Sequence, residues 1–203
     1  PTMTARVNRH WVLVKRPTTN ITNEHLELRQ SPVPDLKDGE VLVKNKLISI
    51  DPTHRIWMSS HDQYMEPVAL GQTMRAITVG EVVDSKSDKF KPGALVGGMG
   101  GLQDYAVSPV QGLNPLDPSV PLTTHHSVLS VVIGLTAFVG IRDIAQVKAG
   151  DVVVVSGAAG AVGSLAGQIA RELGAKKVIG IAGSPDKVEW LTKEAGFTAA
   201  INY

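Results

Sequence analysis

Along the first half of the chain, apolar positions come in short β-branched stretches that turn residues keep interrupting. From about Trp11 to Val110 the breaks fall at Pro32, Pro34, Gly39, Pro52, Pro67, Gly71, Gly80, Pro92 and Gly93, a spacing that predicts short strands. Glu40 to Ile48 and Thr78 to Val83 alternate roughly between polar and apolar residues, as half-buried strands do. This half predicts a β-rich, barrel-like domain over residues 3–125. Near His125 the pattern changes: Ser127 to Val139 is an apolar run without proline, long enough for a buried helix that joins the first domain to a second at 126–203.

From Asp151 the pattern changes again. An apolar run from Val152 leads into a glycine-rich turn, a helix-like stretch from Val162 to Leu173 closed by Gly174, and a second apolar run from Lys177 to Ala182. That order predicts a β-α-β unit. Ser184, Pro185 and Asp186 then supply an N-cap, a proline at the first helical position and an early carboxylate. The helix they open closes at Gly196, and a third strand starts at about Ala199.

Composition narrows the classes. The 203 residues are 43% hydrophobic and 19% charged with a net charge of +1, enough apolar material for one or two packed cores. Such balance gives no field to steer nucleic acid or an anionic membrane, so neither is expected as a partner. With no cysteine there is no disulfide framework and no thiolate metal site, which fits a reducing compartment and makes the cytoplasm the default. No stretch approaches the ~20 apolar residues of a membrane helix, and residues 1–7 hold no signal core. Pro1 and Thr2 precede the first methionine and read as remnants of a tag.

The turn after Val155 carries the chemistry. It reads Ser156-Gly157-Ala158-Ala159-Gly160-Ala161-Val162-Gly163, so the dinucleotide fingerprint G-x-G-x-x-G is met at its second and third glycines, with Ala158 in place of the first. Gly160 lets the backbone approach a pyrophosphate, Gly163 lets the helix pack against the strand, and the helix N-terminus offers N–H groups to the anion. A predicted buried strand before the turn and a helix after it are the context that the motif requires. An NAD site should carry an acidic residue at the end of the second strand. This chain has Gly183-Ser184-Pro185-Asp186-Lys187 there, and a small residue, a hydroxyl, a helix start and an ammonium favour the 2′-phosphate of NADP(H). Asp186 could serve an NAD ribose or simply complement the helix dipole.

With these residues in hand, the chain resembles the N-terminal part of the zinc-independent medium-chain dehydrogenase/reductase superfamily, in the group of leukotriene B4 dehydrogenase/prostaglandin reductases and NADPH-dependent curcumin (double-bond) reductases. The runs Ile50 to Met58, Met74 to Ala76, Gly134 to Phe138 and Ala158 to Ser164 sit in family order. The resemblance implies an α/β plus β fold, a GroES-like β-barrel domain followed by a Rossmann doubly wound parallel-sheet domain, and a homodimeric parent. Zinc-containing relatives place a cysteine near Ile50-Asp51 and a His-Glu pair after the glycine matching Gly71. Here Gln72 and Thr73 follow that glycine, and the six histidines show no paired ligand spacing, so no metal is expected.

The resemblance also assigns roles. Lys187 and Tyr203 match residues that bind the 2′-phosphate, although a strand-end tyrosine can also be mere packing. Ala158, Gly160, Ala161, Val162, Gly163, Gly183 and Ser184 complete that side of the cofactor site, and Pro52, Thr53 and Thr136 match its nicotinamide side. Many members carry tyrosine where this chain has Thr53. Thr136 has an alternative role inside its own helix. Tyr64 matches a substrate-pocket tyrosine of curcumin-reductase-like members and is the candidate catalytic residue, its alternative being an exposed loop position. Trp57 and Met58 read as core.

Together these imply NADPH-dependent, metal-free hydride transfer to the double bond of an α,β-unsaturated ketone or aldehyde. A quinone reductase and a catalytically silent NADPH-binding protein are the alternatives. A doubly wound domain needs two β-α-β-α-β halves, and from Asp151 only two strands, two helices and the start of a third strand are visible. The chain therefore reads as a fragment with its nucleotide domain truncated, inactive alone and binding NADPH weakly or not at all.

Overall fold

A computed structural model describes residues 6–203, and the reading of Pro1 and Thr2 lies outside the described residues. The chain divides into two compact units, 1–122 and 123–203.

The first unit is built from antiparallel strands. β1 (Val7–Leu13) pairs with β2 (Leu26–Pro32). A five-stranded sheet runs in the order β6-β3-β4-β5-β7, from β3 (Glu40–Ile48), β4 (Thr78–Ser85), β5 (Leu95–Gly98), β6 (Tyr105–Pro109) and β7 (Asn114–Pro115). The rough alternation in β3 has a physical cause. Its register against β4 shifts between Leu42 and Val43 and again between Asn45 and Leu47, so Val41, Leu42 and Val43 are buried in succession. Bulges bend the strand and re-aim side chains in this way. Val41, Val43, Val82, Phe90 and Val96 share one core. Leu13, Trp57, Met58, Val68 and Met74 share another, which fixes the short helix α1 (Thr53–Trp57).

The second unit begins differently from expectation. In place of one buried helix over Ser127 to Val139, α2 (Leu122–Ser127) stops and the chain restarts at Ser130, whose hydroxyl accepts the Ile133 N–H at 3.1 Å. A π-helical turn at Val131–Leu135, the short α3 (Thr136–Val139) and a second π-helical turn at Gly140–Ile144 follow. Within α3 only Ala137 is buried. Gly134 permits the reversal, since a Cβ there would stand 1.6 Å from the Val128 carbonyl oxygen. Apolar content alone cannot signal such a break, because the capping serine and the glycine lie inside the run.

The rest is a β-α-β-α-β unit: β8 (Val152–Ser156), α4 (Ala161–Glu172), β9 (Lys177–Ala182), α5 (Pro185–Lys193) and β10 (Ala199–Asn202). Its sheet is parallel in the order β10-β9-β8. Ala158, Ala166, Ala170, Val178, Leu191 and Phe197 form its core. Gly174 and Gly196, at φ 90° and 73°, follow the two helices in the left-handed conformation that glycine adopts without a Cβ penalty.

Candidate functional site

The second unit folds its candidate residues around the ends of β8 and β9. Gly157 leaves β8 at φ 57°, the left-handed region open to glycine. Ala158 is fully buried, and its N–H donates to the Ile181 carbonyl at 3.0 Å, tying the turn to the neighbouring strand. The Gly160 N–H then donates to the Gly157 carbonyl at 2.9 Å, and Gly160 stands in extended conformation as the N-cap of α4 with no side-chain cap. Gly163 is sterically required, since a Cβ there would lie 2.4 Å from the Gly157 oxygen and 2.9 Å from the Ala158 Cα. The turn therefore packs its own backbone against α4. Ala161 and Val162 are exposed in the first turn of that uncapped helix, where N–H groups lack intrahelical partners and suit an anion.

Gly183, Ser184, Lys187 and Tyr203 gather at the end of β9. The parallel register sets Asn202 beside Ala182, and the Tyr203 N–H donates to the Ala182 carbonyl at 3.3 Å. The phenol then lies beside Gly183, where a Cβ would meet the Tyr203 hydroxyl at 3.2 Å. Tyr203 is 86% exposed. Ser184 is the N-cap of α5 with Pro185 in the first turn. A hydrogen bond from the Ser184 hydroxyl, followed by backbone N–H groups of the first turn, holds the Asp186 carboxyl below its usual range. Lys187 is exposed and lines, with Ala159, Asp186 and Trp190, an open depression of about 310 Å³. This side of the unit offers N–H groups, an ammonium and a phenol, the donor set for a phosphate.

In the first unit, Pro52 caps α1 and Thr53 begins it. The Tyr64 hydroxyl makes a short hydrogen bond with the Thr53 hydroxyl and accepts the indole N–H of buried Trp57 at 3.0 Å. Tyr64 itself is 68% exposed. Because an indole nitrogen only donates, this contact does not use the phenolic proton, which is available to another acceptor when the Thr53 hydroxyl is the donor of their shared bond. Arg75 lies over the Trp57 ring at 5.5 Å and donates to the Glu66 carbonyl. The His54 ring is tilted against Trp57 at 5.3 Å.

Pro52, Thr53 and Tyr64 are thus neighbours in one unit, the Ala158 to Gly163 turn, Gly183, Ser184, Lys187 and Tyr203 are neighbours in the other, and Thr136 is the exposed first residue of α3, which packs against α4 in that second unit. Among the described residues no three of His, Asp and Glu converge as metal ligands would. Sequence reasoning missed three residues. Gly157 supplies the turn conformation while Ala158 occupies the fingerprint's first position. Trp57, read as core, is also the hydrogen-bond partner of Tyr64, and the need of a buried indole N–H for an acceptor was the available signal. Trp190 lines the depression beside Lys187.

Residues 9–116 match the N-terminal domain of oxidoreductase. The chain is 39% identical over 196 residues to prostaglandin reductase 1 of Bos taurus, covering 95% of this chain and 57% of that protein. It is 35% identical over 201 residues to the NADPH-dependent curcumin reductase of Escherichia coli (strain K12), covering 97% of this chain and 56% of that protein. Among solved structures, CurA of Vibrio vulnificus in complex with NADPH superposes with a TM-score of 0.86 at 37% identity, over 96% of this chain and 58% of that one. The chain spans somewhat more than half the length of these relatives.

Proposed function

Because the chain belongs to the oxidoreductase family whose N-terminal domain its residues 9–116 match, in the zinc-independent medium-chain dehydrogenase/reductase group, we propose that it serves an NADPH-dependent reductase of α,β-unsaturated ketones and aldehydes. The observation that carries this reading is the glycine turn beside Lys187 and Tyr203. Gly163 admits no Cβ, α4 opens without a side-chain cap, and an ammonium and a phenol stand near the end of β9, where an NAD site would carry a carboxylate for the ribose and where the Asp186 carboxylate is instead engaged by the Ser184 hydroxyl and the first-turn N–H groups of α5. These residues fit a dinucleotide bearing a 2′-phosphate. Its pyrophosphate falls to Gly160, Ala161, Val162 and Gly163, above a turn that Ala158, fully buried and with its N–H given to Ile181, shapes from beneath; its 2′-phosphate falls to Gly183, Ser184, Lys187 and Tyr203, and the family resemblance assigns the nicotinamide side to Pro52, Thr53 and Thr136. The reading draws support from a curcumin reductase named for NADPH and from CurA solved with NADPH.

When bound, the reduced dinucleotide supplies a hydride for the β-carbon of the substrate. The chain's own residues bind and polarise. Tyr64, its oxygen already accepting from Trp57, turns its proton toward the substrate's carbonyl oxygen, and a preorganised donor of this kind stabilises the charge that gathers there. Thr53 holds the phenol from the other side. The α-carbon then takes a proton from solvent, which balances the hydride added at the β-carbon. The whole protein, on this reading, is a cytoplasmic homodimer.

The cofactor assignment is tested on the whole protein by titrating it with adenosine 2′,5′-bisphosphate and with adenosine 5′-monophosphate. The bisphosphate should bind at least tenfold more tightly, and Lys187→Met should erase the difference; equal affinities would overturn the assignment. In the whole protein, NADPH oxidation should be faster with a linear enone than with benzoquinone. A strong quinone preference would make it a quinone reductase, and NADPH binding without oxidation of either substrate would make it a silent binding protein.

A further inference from the structure

Trp190 is an anomaly in its helix. α5 sends Leu191 fully into the core, while Trp190 keeps 42% of its surface in solvent. It lies three residues after Lys187, and side chains at that spacing are neighbours on a helix surface. The two share the wall of the depression of about 310 Å³ with Ala159 of the glycine turn and Asp186, a volume at the lower end of the ~300–1,000 Å³ typical of small-ligand sites. A flat apolar ring is thus presented in one hollow with an ammonium and with the turn to which the phosphates are assigned. Toward a phosphate an exposed indole offers a single N–H, and its face has no part in that contact. It gains much from a planar heterocycle, because stacking tolerates any base.

We propose that Trp190 is the base platform of the nucleotide site, its indole taking the adenine of an adenosine 2′-phosphate while Lys187 takes the phosphate. This inference rests on the cofactor reading above and adds a specificity-determining residue to it. It assigns the neighbouring positions of α5 complementary parts of one ligand, the phosphate to Lys187 and the base to Trp190. It also explains why the depression is open, since stacking needs one face rather than an enclosing pocket.

The experiment uses the whole protein and adenosine 2′,5′-bisphosphate, followed by calorimetry and by tryptophan emission. Trp190→Ala should raise the dissociation constant roughly tenfold, inside the range that base–aromatic stacking spans, and should abolish the quench that ligand causes in the parent chain. Trp190→Phe should restore affinity to within about threefold of the parent, since any aromatic face serves. If Trp190→Ala binds as tightly as the parent while Lys187→Met loses the 2′-phosphate preference, the platform is wrong and the cofactor reading stands. If the parent shows no preference for the 2′-phosphate, the cofactor reading falls and takes the platform with it. Equal losses in Trp190→Ala and Trp190→Phe would also overturn the platform, because they would tie affinity to the indole's N–H or bulk instead of to its face.

Discussion

At the residue scale, the phenol of Tyr64 is where chemistry and structure meet most directly. Its oxygen accepts from Trp57 and shares a short hydrogen bond with Thr53, although the side chain is 68% exposed. A freely solvated tyrosine would have no need of two intramolecular partners, and in the proposed reaction fixing the ring in advance would remove part of the ordering cost. In the whole protein, Tyr64→Phe should therefore lower kcat/KM for a linear enone by roughly 10²-fold, the effect of losing one preorganised donor, with NADPH affinity unchanged. Steady-state kinetics with a parallel NADPH titration would check this, and unchanged turnover would remove Tyr64 from the reaction. The Thr53 hydroxyl also gives this chain a partner for the phenol at a position where the resembling family often carries a second tyrosine.

At the scale of elements, the β-α-β-α-β unit is held by one aromatic ring seated on two glycines. A Cβ on Gly167 of α4 would stand 2.0 Å from Phe197 Cζ, and one on Gly180 of β9 would stand 3.0 Å from Phe197 Cδ1. Phe197 is 4% exposed, so its ring fills the space between helix and strand that those glycines leave. Phe197→Ala should destabilise the unit by about 3–5 kcal/mol, as large-to-small changes in packed cores do, read as a lowered urea midpoint at unchanged slope. A change below ~1 kcal/mol would mean that the helix settles onto the strand and closes the gap. Much of this unit was legible in the sequence because its signals are local: β9 has the predicted bounds, α4 begins one residue before the predicted start, and the capping glycines stand where expected. The seat of Phe197 was not legible, since it depends on residues 17 and 30 positions apart in the chain that only the fold brings together. The same holds for Tyr64 and Trp57, whose pairing the Trp57 to Tyr64 loop creates. The Ser127 to Val139 run misled for the opposite reason, because its apolar content was visible while the Ser130 cap and the close approach at Gly134 outweighed it.

At the scale of the whole molecule, charge is nearly balanced at +1, and its ion pairs lie largely at the surface, as with Arg9–Asp104, Lys15–Glu24 and Lys91–Asp88. Each such pair contributes little, and salt screens it further. Their effect on stability is therefore a matter of sign and pH range more than of size. Hydrogen bonds from Lys15, Arg29, Lys91 and Arg142 lower the carboxyls of Glu24, Glu27, Asp88 and Asp143, and the Ser184 hydroxyl lowers that of Asp186. A carboxyl whose pKa is depressed on folding stabilises the native state above its unfolded pKa, and that contribution is lost as pH falls through the folded value. All five shifts have the same sign, so the urea midpoint should be flat around neutrality and decline below about pH 5. Because all five carboxyls are solvent-exposed, the decline should be shallow, and added salt should reduce the part due to ion pairs while leaving the part that Asp186 owes to Ser184 and the first turn of α5. Urea titrations across that range at low and high salt, with Asp186→Asn alongside the parent, separate the two parts. A midpoint that rises on acidification would contradict the direction of every one of these shifts and point instead to a carboxyl held neutral by burial.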